Sequence, residues 1–375
     1  MNPKFPRRRF LTGAAGVGAG VGAAALFAPA SANALSFPSP EEDDTPPLQD
    51  SVIRFDGVHQ AGISTERQTN ARFIGFNLLE GVERPGLRNL MRAWTGVARQ
   101  LCEGDEVSSD LVPELGQVTA NLTVTIGFGA GAFAVAERED EAPEWLGLFE
   151  EGEENPWAGA DLLLQICCDD PMTLSHCSRL LIREGSVHTE VQWIQDGFSL
   201  PDGSLRPGEN PRGMFGPPTG LENPIGGVDL DRTVWFEEGP AWLRGGTSVV
   251  VRRKAIDMAA WDAVPRSTRE ELLGVAIEDG QPNGGGEAAL RQPPEESPNQ
   301  RMLARPYSFD EAVAQGEVEV LFQKDPETQF VPVEERLTEA NLLGNWVDIQ
   351  GAAAFVLPRG TMSDEYWAQD LLEGE

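Results

Sequence analysis

The chain has 375 residues, with 60 acidic against 29 basic side chains and a formal charge of −31. A surface this acidic repels phosphate backbones and anionic lipid, which excludes a nucleic-acid-binding stripe and a basic membrane-docking face. It suits a protein kept hydrated in concentrated salt, where screening removes much of the self-repulsion.

The first 34 residues read as an address. Arg7-Arg8-Arg9-Phe10-Leu11 fits a twin-arginine pattern, a weakly apolar Gly/Ala run follows from Gly13 to Phe27, and Ala32-Asn33-Ala34 offers a small-x-small cleavage site. The apolar run is too short and too glycine-rich to span a bilayer. Export of a folded protein to the cell surface or beyond is the expectation, with no other membrane association. Residues 35–50 are proline-rich and acidic, a solvated linker. The four cysteines (Cys102, Cys167, Cys168, Cys177) form no C-x-x-C and read as buried thiols, with a Cys168–Cys177 bridge as the other option.

Two similar halves follow, at residues 51–195 and 196–375. In the first, residues 71–79 predict a strand. Pro85 opens a helix in which Leu87, Leu90, Met91, Trp94, Val97 and Leu101 recur at helical spacing. Residues 122–126 alternate as a strand does, and 161–168 read as a buried strand. Asp170 then caps a helix with Pro171 at its first position, stopped by Gly185, before a closing strand over 187–194. The order is β-α-β-β-α-β, the ferredoxin-like signature. The second half repeats it: strand 247–253, helix 258–277 broken at Pro265, strands 302–307 and 318–323, a helix near 333–340 and a final strand 352–357. Between them, 279–300 form a Gly/Pro-rich loop without periodicity. The fold class is α+β, with two antiparallel ferredoxin-like modules.

Several blocks in this order resemble the dye-decolourising (DyP-type) peroxidase family. They are His59-Gln60-Ala61-Gly62-Ile63, Phe128-Gly129-Ala130-Gly131, residues 163–171, Val234-Trp235, Pro240-Ala241-Trp242, Gly245-Gly246-Thr247, Phe322-Gln323-Lys324-Asp325-Pro326 and Gln329-Phe330-Val331-Pro332. The resemblance spans roughly residues 51–360. It implies two ferredoxin-like modules arranged as in dimeric α/β barrels. It also implies a haem b in the second module and peroxide-driven oxidation of organic substrates. In the family a proximal His holds the iron, a distal Asp in G-x-x-D-G moves the proton, and a distal Arg stabilises developing charge.

At those three positions the match breaks. Gly216-Pro217-Pro218-Thr219-Gly220 places Thr219 where the Asp belongs, and a threonine hydroxyl is no general base near neutral pH. Ala288-Ala289-Leu290-Arg291 supplies Ala289 at the proximal position. Arg301-Met302-Leu303-Ala304-Arg305 supplies Ala304 for the distal Arg, and neighbouring Arg305 points to the opposite face of its strand. The expectation is therefore a family member with a degenerate haem centre, serving a binding or structural role for a small or haem-like ligand. The alternative is an active haem peroxidase with non-standard iron ligation, for which the fallback ligands are His59, His176, His188 and Tyr307. No H-E-x-x-H, G-x-S-x-G or P-loop offers a different chemistry.

Overall fold

The computed structural model describes residues 47–149, 157–201, 204–206 and 209–374. The export signal and all but residues 47–50 of the acidic linker lie outside the described residues. Among the described residues no helix is long and apolar enough to cross a membrane.

The first module runs β1 (Asn70–Leu78), α1 (Arg84–Glu103), β2 (Thr123–Phe128), α2 (Ala130–Val135), β3 (Leu162–Cys168), α3 (Pro171–Gly185) and β4 (Thr189–Phe198). Its strands pair antiparallel in the order β2-β3-β1-β4. The caps expected for α3 are present: Pro171 opens it and the Asp170 carboxylate accepts from the Thr173 amide at 2.7 Å. Residues Leu87, Leu90, Met91, Trp94, Val97 and Leu101 are all buried, so the apolar stripe of α1 lies against the sheet.

The second module continues with α4 (Gly227–Thr233), β5 (Thr247–Ile256), α5 (Met258–Asp262), α6 (Arg266–Leu273), α7 (Gly286–Arg291), β6 (Leu303–Ala304), β7 (Tyr307–Asp310), β8 (Gln315–Gln323), α8 (Phe330–Ala340), β9 (Val347–Leu357) and α9 (Gln369–Glu373). Pro265 separates α5 from α6, as its missing N–H requires. Three expectations need correction. The strand over 302–307 is two strands, because Pro306 interrupts the ladder between β6 and β7. The loop 279–300 contains α7, one and a half turns long, too short to show a 3.6-residue period. His188 precedes β4 instead of lying within it, its amide closing the turn onto Gly185.

The two sheets are not separate. Single bridges, Phe128↔Val356 and Phe198↔Ser308, join β2 to β9 and β4 to β7, and β5 pairs with both β9 and β8. The ladder therefore closes on itself, leaving β6 as an extra strand on β8. Inside lie Phe73, Leu163, Cys167, Tyr307, Val320 and Phe355. Strand β3 is buried at every position because one face fills this interior and the other sits under α1 and α3. On the outer face of the second sheet, α6, α7 and the segment 213–223 leave space between themselves and the strands. That space is the candidate site.

Candidate functional site

A cavity of about 250 Å³ lies on the outer face of β5 and β8. The pleat determines its floor. In β8, Glu317, Glu319 and Leu321 alternate onto the cavity side, while Val318, Val320 and Phe322 turn into the closed interior. In β5, Arg252 stands opposite Glu319 and Lys254 opposite Glu317. Ala304 of β6 pairs with Leu321 and extends the same surface. The roof is the segment from Gly213 to Asn223, and one end is closed by Leu273, Glu287, Ala288 and Arg291.

Thr219 and Ala304 therefore do share this cavity, although 85 residues apart in the chain. Thr219 is held by its neighbours: its hydroxyl donates to the Pro211 carbonyl at 3.0 Å and lies 3.4 Å from an Arg67 guanidinium nitrogen. Asn223 fixes Ala304, receiving its amide at 2.8 Å and donating to its carbonyl at 2.9 Å. Ala289 is corrected. It faces solvent, and Ala288, one residue earlier in α7, lines the wall together with Arg291. One residue is roughly a 100° turn of helix, which loop length alone does not specify.

The other expected residues are elsewhere. Arg305, on the opposite face from Ala304, is buried and donates to the carbonyls of Ile63, Thr65 and Glu66 and to Gln68, fastening the 60s segment. His59 stacks on Trp235, ring centroids 3.7 Å apart, with Nδ1 at 2.6 Å from the Gly245 carbonyl. His176 is buried on α3 with Nε2 2.7 Å from Asp110. His188 packs beside Gly86. Tyr307 is buried in the closed interior with its hydroxyl 3.6 Å from Cys167 Sγ. None of the four borders the cavity.

The charged floor was not anticipated. Glu319 is enclosed by Arg252 at 2.5 Å, Lys254 at 3.1 Å and Arg291 at 3.6 Å. Arg252 also meets Glu334 at 2.5 Å, and Arg291 meets Glu287 at 3.3 Å. Although burial opposes ionisation, the three cations hold the Glu319 carboxyl far below the usual carboxylate range. Burial pushes the neighbouring Glu317 carboxyl up, Lys254 being too distant to offset it fully. The sequence signal was present: charges inside otherwise apolar strands, consecutive in Val251-Arg252-Arg253-Lys254 and alternating in Gly316-Glu317-Val318-Glu319-Val320. Charged alternation ordinarily marks a solvated face, and only the covering helices show that this face is enclosed.

Residues 60–199 match the family model "Dyp-type peroxidase, N-terminal" and residues 210–362 match "Dyp-type peroxidase, C-terminal". The chain belongs to the DyP-type peroxidase family. It is 29% identical to a dye-decolorizing peroxidase of Thermobifida fusca, covering 98% of this chain and 97% of the relative. The fold superposes on a DyP-type peroxidase from Cellulomonas bogoriensis with a TM-score of 0.82 and 32% identity, over 88% of this chain and 100% of the other. Ferric DtpA from Streptomyces lividans gives 0.81 at 28% identity, over 87% and 98%.

Proposed function

We propose that this chain is a DyP-family protein in which the second-module cavity no longer runs haem peroxidase chemistry and serves instead as a pocket for a small molecule. The observation that carries the reading is the set of side chains around the cavity. Haem iron is held in proteins by His, Cys, Met or Tyr. Among the described residues the cavity wall offers only the Met302 thioether from that set. Ala288 and Ala304 bring neither ligand nor cation, and the Thr219 hydroxyl, already donating to Pro211, is no proton shuttle. The floor carries two enclosed carboxyl groups, Glu317 and Glu319, where a flat apolar macrocycle would leave them without water. On this reading the residues present do not fit the group.

The test is haemin titration followed by absorbance, with peroxide turnover measured on the same samples. Wild type is expected to show no saturable Soret band. Thr219→Asp, Ala288→His, Ala304→Arg together should gain one, whereas the same triple built on Ala289→His should not, since that position faces solvent. Tight haem uptake with turnover by wild type would refute the reading in favour of an active peroxidase ligated through Met302.

The arginine pair and Gly/Ala run at the N-terminus support export by the twin-arginine route to the cell surface or medium, as part of the same proposal.

A further inference from the structure

Among the described residues two carboxyl groups on the cavity wall enter no ion pair: Glu222, which is exposed and accepts from Gln292, and the buried Glu317. Each cation on its wall has a carboxylate within reach: Lys254 has Glu319 at 3.1 Å, Arg291 has Glu287 at 3.3 Å, and Arg301 has Asp229 at 3.0 Å. Glu317 is 93% buried, lines the cavity and, among the described residues, enters no ion pair within 4 Å. Among the described residues its one hydrogen bond is from the Met214 amide, 3.2 Å from Oε1. Gly213 makes this approach possible, since a Cβ there would stand 2.1 Å from the same oxygen. Among the described residues the second carboxylate oxygen has no donor. A buried carboxyl group without a counter-charge is costly, and is kept only if something else satisfies it.

The rest of the wall describes the remainder of the ligand. Phe215, Leu273, Val275, Met302, Leu321 and Leu343 are apolar. A dry apolar cavity of about 150 Å³ holds a benzene ring, so the space here suits one ring with a short arm. Among the described residues no group of three or more His, Cys, Asp or Glu side chains converges to hold a metal ion, which argues against a bare divalent cation.

We propose that the cavity binds a small organic cation, an ammonium carried on a ring-sized apolar body, with Glu317 as its counter-charge. This rests on the cavity being a ligand pocket instead of a haem site. The groups that act on Glu317 are Lys254 from β5, Glu319 from its own strand, Arg291 from α7 and Arg67 from the 60s segment. Burial and Glu319 favour its neutral form, while Lys254 and Arg291 favour the carboxylate. An entering ammonium adds a charge of the second kind at contact distance, so binding at mildly acid pH expels a proton.

The probes are phenethylamine and its neutral counterpart 2-phenylethanol, titrated calorimetrically into the full chain. Wild type should bind the amine about tenfold or more tightly than the alcohol. Amine affinity should rise as pH climbs out of the acid range, through a window shifted above that of an ordinary carboxyl, with proton release at the acid end, because the ammonium stays charged while Glu317 ionises. Glu317→Gln keeps shape and the Met214 contact but should bring amine affinity down to that of the alcohol. Gly213→Ala displaces the carboxylate without altering any charge and should also shrink the preference, so the test survives if one variant folds poorly. Equal affinity for the two probes, no amine binding, or an unchanged preference in Glu317→Gln overturns the inference. Haemin is titrated in parallel. Absence of both amine and haemin binding removes the inference and leaves the preceding reading intact. Tight haemin binding overturns the preceding reading and the inference with it.

Discussion

Replacing Glu319 should destabilise the protein more than any other single charge removal on the cavity floor. The side chain is 9% exposed and its two oxygens serve Arg252, Lys254 and Arg291, themselves 5%, 7% and 28% exposed. Glu319→Gln leaves three cations around a neutral amide. Arg252 still has Glu334 and Arg291 still has Glu287, but Lys254 has no other anion within ion-pair distance among the described residues. The loss of one partner from a buried pair costs roughly 3–5 kcal/mol. Urea unfolding should therefore show a loss of roughly 3–5 kcal/mol, and the melting temperature should fall by roughly 5–15 °C. Substituting the trio as Arg252→Met, Lys254→Met, Glu319→Leu should restore part of it, since no cation is then stranded, while Glu317 and Glu334 each lose a neighbouring positive charge. The pH dependence has a definite sign. The folded carboxyl is depressed, so its contribution is complete above the unfolded value near 4.3 and fades only as pH falls through the far lower folded one. A Glu319→Gln variant within about 1 kcal/mol of wild type would show that the cluster is solvated and refute the reasoning.

With a charge of −31, the melting temperature should rise steadily from dilute buffer to molar salt, and equal values in both would contradict a self-repelling surface. The four cysteines are buried and unpaired, Cys168 pushed up to about 12 by burial, so thiol reagents should leave the native protein untouched and label all four after unfolding. Stoichiometric labelling without denaturant would sink that expectation. Secretion should fail in an Arg7→Lys, Arg8→Lys double variant, as followed by immunoblot of medium and cells; full export by that variant would mean another route.

What the sequence determined by itself is the part written locally. Alternation in residues 122–126, the Leu87-to-Leu101 stripe and the Asp170-Pro171 cap each follow from backbone geometry, so they give β-α-β-β-α-β and, with the Gly216–Gly220 frame, the family. Thr219 and Ala304 could be assigned to one cavity because both sit in well-matched motifs. Tertiary structure decided the rest. The phase of α7 depends on where a Gly-rich loop re-enters the fold, and it sets Ala288, not Ala289, on the cavity wall. Closure of the two sheets rests on bridges of one residue pair each, Phe128↔Val356 and Phe198↔Ser308, which carry no periodic signal. Charges inside β5 and β8 look the same in a sequence whether the face they occupy is wet or covered. Burial under α7 and the 213–223 segment turns Glu319 into a structural ion cluster and leaves Glu317, two residues away on the same face, as a carboxyl group with space in front of it.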